Sequence, residues 1–184
     1  MPRIPEIDPK TAKGEAKTLL DGVRAKLGGV PKIFATMAQA PKVLEGFLAF
    51  NTALGQGTLP ATLREQVALT VAGANGCDYC ASAHTALGKG VGLSQDELAR
   101  NLDGRSTDPK VQATLDFVRS VLTNRGQVDD SAIGALRNAG YGDAEIVEIV
   151  AHIAANIFTN YFNIIAGTDI DFPVVETSQV ARAA

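Results

Sequence analysis

Apolar residues recur at helical spacing along almost the whole chain, and no stretch alternates polar and apolar residues as a half-buried strand does. Leu19, Leu20, Val23 and Leu27 form one such run, stopped by Gly28-Gly29 and Pro31. KIFATMAQA ends at Pro41, and KVLEGFLAFNTAL supplies a second run. Pro60 suits the first turn of a helix over 61–74, since proline tolerates that position. Asn75-Gly76 then reads as a helix C-cap, because no strand-like flanks accompany it. A helix over 77–89 ends in GKGVG, whose glycines lack the strand and the spacing of a phosphate loop. Ser94 and Glu97 have capping-box spacing. Asp108-Pro109 opens a longer helix, Asp129 starts a short one closed by Gly140, and Asp143 is expected to cap a last long helix to about 166. The fold class is therefore all-α. One domain is expected, with an N-terminal helical arm over 1–53, a core over 54–170 and an irregular tail over 171–184.

A chain of 184 residues with 46% hydrophobic and 20% charged residues is long enough and ordinary enough to bury a core. Its net charge of −3 and lack of a basic stripe argue against nucleic acid as a partner. The first twenty residues hold no apolar run of signal-peptide length. IVEIVAHIAANIFTNYF is the most apolar segment, but Glu148, His152, Asn156 and Asn160 interrupt it, so no membrane partner is expected. A cytoplasmic location follows as an expectation. In that reducing setting two cysteines have a chemical use rather than a stapling one.

Both cysteines and one of the two histidines fall within EQVALTVAGANGCDYCASAH, residues 65–84. Cys77 and Cys80 are three apart, and His84 is four further on, so a helix places all three on one face. The cysteines occupy the first turn, where unpaired backbone N–H groups and the helix dipole favour a thiolate. An imidazole one turn along can take the proton or balance the charge. Glu65 is an isolated acid whose helical neighbours are Ala68, Leu69 and Ala72, and a buried carboxylate needs a partner. If the two helices fold back across Asn75-Gly76, Glu65 and His84 both lie roughly 12–15 Å from the bend, at about 1.5 Å per residue. Glutamate would then orient histidine, and histidine would activate a sulfur.

Glu, eleven residues, Cys-x-x-Cys, three residues, His resembles the signature of the alkylhydroperoxidase AhpD-like family, within the carboxymuconolactone decarboxylase superfamily. The resemblance is clearest over 59–92 and extends loosely to PKIFATMAQAPKVLEGFLAF and HIAANIFTNYFN. It implies an all-helical homo-oligomer, trimeric or hexameric, that reduces hydroperoxides with no haem, flavin or metal cofactor. Carried over by position, Glu65 and His84 form the proton relay, Cys80 is the attacking thiolate and Cys77 the resolving thiol. Proximity to His84 also favours Cys80 as the attacker. An external dithiol, on a lipoyl-bearing or thioredoxin-like protein, would restore the pair. Tyr79 stands where some members have histidine, and a phenol of reference pKa about 10 is no base at neutral pH. The superfamily's decarboxylases generally lack the cysteine pair, so their chemistry is not carried over.

Three other readings compete. The sulfurs can serve a disulfide oxidoreductase acting on protein or small-molecule disulfides. They can belong to a non-enzymatic helical oligomer that senses oxidation. Cys77, Cys80, His84 and His152 also suffice in number for a zinc site. Glu148, His152, Asn156, Asn160 and Asn163 recur along the last helix as a polar stripe. It reads either as one wet edge of a buried helix, or as the lining of a subunit interface or of the active-site mouth.

Overall fold

From Gln66 to Ala72 every residue of helix α4 (Ala61–Asn75) is buried, which an amphipathic surface helix does not allow. Four helices wrap it: α5 (Asp78–Gly90), α6 (Gln95–Leu102), α7 (Pro109–Thr123) and α9 (Asp143–Ala166). The short α8 (Asp130–Asn138) packs on α7, while α1 (Gly14–Leu27), α2 (Lys32–Met37) and α3 (Pro41–Gly55) pack on one another. A computed structural model describes residues 1–179, and no strand occurs among them.

Two apolar clusters share α4. Val67 and Val71 point into one with Phe117, Val118, Leu136, Ile149 and Ile153. Leu69 and Ala72 point into the other with Leu20, Met37, Leu44 and both cysteines. α4 approaches the end of α6 so closely that a Cβ on Gly73 would sit 2.0 Å from the Leu102 carbonyl oxygen. Overpacking of that kind costs about 1–3 kcal/mol and the opposing contact here is backbone, whereas alanine would gain only about 1 kcal/mol in helix propensity. Close approach therefore decides for glycine at this position.

The helix starts mostly match their sequence signals. Asp108 accepts from Lys110 N and Val111 N, Asp129 from Ala132 N, and Ser94 from Glu97 N. Asp143 is a correction, because the N-cap of α9 is Gly142. Glu145 reaches back to the Gly142 N–H at 2.8 Å, and Asp143 bonds Arg137 instead. Gly142 has the extended backbone an N-cap needs, which leaves the Asp143 side chain free to turn toward α8. Glu148 fixes α9 to the entry of α4 by accepting from Thr58 N, Thr58 Oγ1 and Leu59 N.

Beyond α9 the chain returns along α5 without regular structure except a 3-10 turn at Thr177–Gln179. Val175 N donates to Ser82 Oγ at 2.9 Å, and Thr177 donates to Asp78 Oδ1 through both N and Oγ1. The part of the expected irregular tail over 180–184 lies outside the described residues. α9 is long and apolar enough to cross a membrane by length and composition, but half of its apolar window is buried within the fold.

Candidate active site

A single left-handed residue joins α4 to α5. Gly76 has φ +67°, its N–H bonds to Gly73 O at 3.3 Å, and Cys77 N–H bonds to Ala72 O at 3.0 Å. This paired closure ends α4 and turns the chain at once into α5. Cys77 therefore has two tasks, since its Sγ also accepts from Cys80 N at 3.3 Å as the N-cap of α5.

The hairpin brings Glu65 and His84 together: Glu65 Oε2 lies 2.7 Å from His84 Nδ1. Both are largely shielded, with side-chain exposures of 18% and 22%. Burial pushes the imidazole toward its neutral form, but the Glu65 carboxylate outweighs this, so the His84 pKa lies above the usual histidine value. With Nδ1 held by Glu65, Nε2 is left to exchange a proton.

The two sulfurs separate in character. A hydrogen bond from the Cys77 thiol, opposed by burial and aided by Asn163 and the His84 charge, lowers the Cys80 pKa. Cys77 shifts the other way, raised by its bond to the ionised Cys80, by burial and by the nearby Asp78 charge. One thiolate and one thiol side by side are what stepwise disulfide formation requires. Both residues are buried, and Ile170, Phe172 and Val175 of the tail pack against the cluster that holds them.

Tyr79 acts as a brace. Its hydroxyl accepts from Ile33 N at 3.3 Å, its ring meets Phe172 edge-on at 5.8 Å, and burial raises its pKa further. The zinc reading finds no support in the donor geometry. Among the described residues no group of three or more His, Cys, Asp or Glu is placed to hold a metal ion.

The polar stripe of α9 corrects the wet-edge reading. His152, Asn156, Asn160 and Asn163 are buried and face inward, while the solvent face of α9 is apolar. Asn163 Nδ2 donates to Cys80 Sγ at 3.3 Å, a contact the sequence signalled only through the spacing of the stripe. Burial, with Arg64 nearby, lowers the His152 pKa.

Fold and site together define an all-helical dithiol protein with a carboxylate–imidazole pair. Residues 41–121 match the carboxymuconolactone decarboxylase family. A solved structure described as an alkylhydroperoxidase AhpD core, an uncharacterized peroxidase-related protein from Ralstonia eutropha JMP134, is similar with a TM-score of 0.83 and 25% identity, covering 92% of each chain. An uncharacterized peroxidase-related protein from Silicibacter sp. TM1040 is similar at a TM-score of 0.80 and 22% identity, covering 91% of this chain and 89% of its own. The debrominase Bmp8, as a cysteine-to-alanine variant in complex with 2,3,4-tribromopyrrole, shares the fold at a TM-score of 0.78 and 18% identity, covering 98% of this chain and 96% of its own. No curated protein matches the chain. The chain is thus similar to the carboxymuconolactone decarboxylase family over residues 41–121, and its fold is similar to that of the AhpD core structure.

Proposed function

We propose that this chain is a thiol peroxidase that reduces hydroperoxides through a Cys77/Cys80 dithiol–disulfide cycle. The observation that carries this reading is the 2.7 Å Glu65–His84 contact one helical turn from a cysteine whose pKa is lowered. The Cys80 thiolate attacks the terminal oxygen of the hydroperoxide. An S–O bond forms, the O–O bond breaks, and the departing alkoxide takes a proton from His84 to leave as alcohol. The sulfur is now a sulfenic acid. Cys77, deprotonated in turn, attacks that sulfur and expels hydroxide, which is protonated to water as the disulfide closes. An external dithiol, lipoyl-bearing or thioredoxin-like, reduces the disulfide by exchange. Every step uses protein groups, and none calls for a bound cofactor.

One equivalent of alkyl hydroperoxide should consume two thiols per chain and yield one alcohol, read by thiol titration and product analysis. Loss of no thiols would sink the reading. A disulfide exchanger would instead oxidise readily with thiol–disulfide partners and slowly with peroxide. The burial of both sulfurs favours the small peroxide as the direct oxidant.

The chain is further proposed to act as a homo-oligomer in the cytoplasm, with neither nucleic acid nor membrane as a partner. Support for association comes from the outer face of α9, where Val147, Val150, Phe158, Tyr161 and Ile165 stand exposed at helical spacing. Light scattering should give a multiple of 19.2 kDa for the native chain and a smaller species for a Tyr161→Lys/Ile165→Lys variant. A monomeric native chain would remove this part of the reading.

A further inference from the structure

Asn156, Asn160 and Asn163 lie along the inner face of α9, and nothing in the relay uses them. Asn156 satisfies its own donor on the His152 carbonyl at 2.8 Å. The other two are left incomplete in the interior. Asn160 is fully buried and Asn163 is 3% exposed, yet Asn160 Nδ2 and Asn163 Oδ1 have no partner. Buried amides with unmet bonds are costly, and an apolar residue would pack there with less loss. Their position needs another reason, and the neighbouring sulfur supplies it.

We propose that Asn163, supported by Asn160, is a positioning residue that holds the Cys80 sulfur in its ionised form from the helix opposite. Asn163 Nδ2 stands 3.3 Å from Cys80 Sγ. An amide N–H is a donor only, so it rewards a thiolate, which accepts, over a thiol at the same place. Asn160 is oriented by Asn75, whose Nδ2 donates to Asn160 Oδ1 at 3.1 Å, and this turns its own Nδ2 away from Asn75. That second amide also favours the ionised sulfur, though it lies outside hydrogen-bonding geometry. The titratable groups at Cys80 and on the elements packed about it are Cys77 at the N-cap of α5, Asp78, Tyr79 and His84 on α5, Glu65 on α4, His152 on α9 and Asp171 of the tail. Each of those changes charge with pH, whereas an amide does not. Asn163 therefore supports the thiolate on both limbs of the pH profile, independently of the state of His84.

The inference rests on Cys80 as the nucleophile, and its test does not require that peroxide be the substrate. In a Cys77→Ser chain only one thiol remains, and its ionisation is followed by ultraviolet thiolate absorbance across the pH range. Asn163→Leu and Asn163→Ala, which remove the donor without adding charge, should each raise the Cys80 midpoint by about one pH unit, leaving about tenfold less thiolate below it. The alanine variant adds no bulk and carries the test if the leucine variant does not fold. A purely structural role would lower the melting temperature and leave the midpoint alone. An unchanged midpoint in a folded Asn163→Ala chain overturns the inference, whereas a raised midpoint without peroxide consumption would uphold it and remove the peroxidase reading only.

Discussion

A Cys80→Ser chain is expected to turn over no hydroperoxide above the uncatalysed rate, with its helical content intact. Serine keeps the shape of the first turn of α5, and the N-cap bond from Cys80 N–H to Cys77 Sγ is made by the backbone, so it survives. What disappears is a nucleophile that ionises near neutrality, since an alcohol stays protonated there. Cys77 does not substitute for it, because burial and the nearby Asp78 charge still raise its pKa in that variant. The converse Cys77→Ser chain should stop after one attack, with a Cys80 sulfenic acid that a dimedone-type probe captures. The native chain, acting as proposed, should show a bell-shaped rate against pH, with signs that follow from the two shifts. Cys80, lowered to about 7, gains its thiolate as pH rises through that value. His84, raised by Glu65, keeps its proton to higher pH than an ordinary histidine and loses it above its own midpoint, where the rate falls. Stopped-flow measurement of thiol oxidation in both single mutants and the native chain decides the matter. Residual turnover in Cys80→Ser would assign the attack to the wrong sulfur.

Glu65→Gln should slow peroxide attack by roughly 10²–10⁴, the range associated with losing general acid–base help. Glutamine fills the same volume and can still bond His84, so the packing between α4 and α5 is preserved. The charge is gone, however, so burial is opposed only by the Cys80 charge and the His84 pKa falls from its native level. The imidazole is then protonated less often, the alkoxide leaves without a ready proton, and Cys80 loses a favourable charge. The falling limb of the pH profile should accordingly move to lower pH. A profile and rate equal to those of the native chain would show that the 2.7 Å contact is only structural.

The helices and the Glu65–His84 pairing were legible because both depend on counting. Ten residues before the Asn75-Gly76 bend and eight after it fix the register of two antiparallel helices, whatever surrounds them. The inward stripe of α9 was not legible for the opposite reason. Its two sides are both apolar enough to be buried, and polarity alone suggests that asparagines face water. In the structure Val147, Tyr161 and Ile165 take the solvent side, and Asn160 and Asn163 turn in toward the sulfur. Only tertiary packing settles which side is which. The bracing by Tyr79 was hidden similarly, since its partners Ile33 and Phe172 are distant in sequence.

The joint at Gly76 imposes one more constraint. Because Cys77 closes one helix and begins the next, the bend has no slack, and an inserted residue would rotate α5 by about 100° on its axis. His84 would swing off Glu65 and Cys80 off α9 in the same motion. Insertions and deletions are thus barred from this corner.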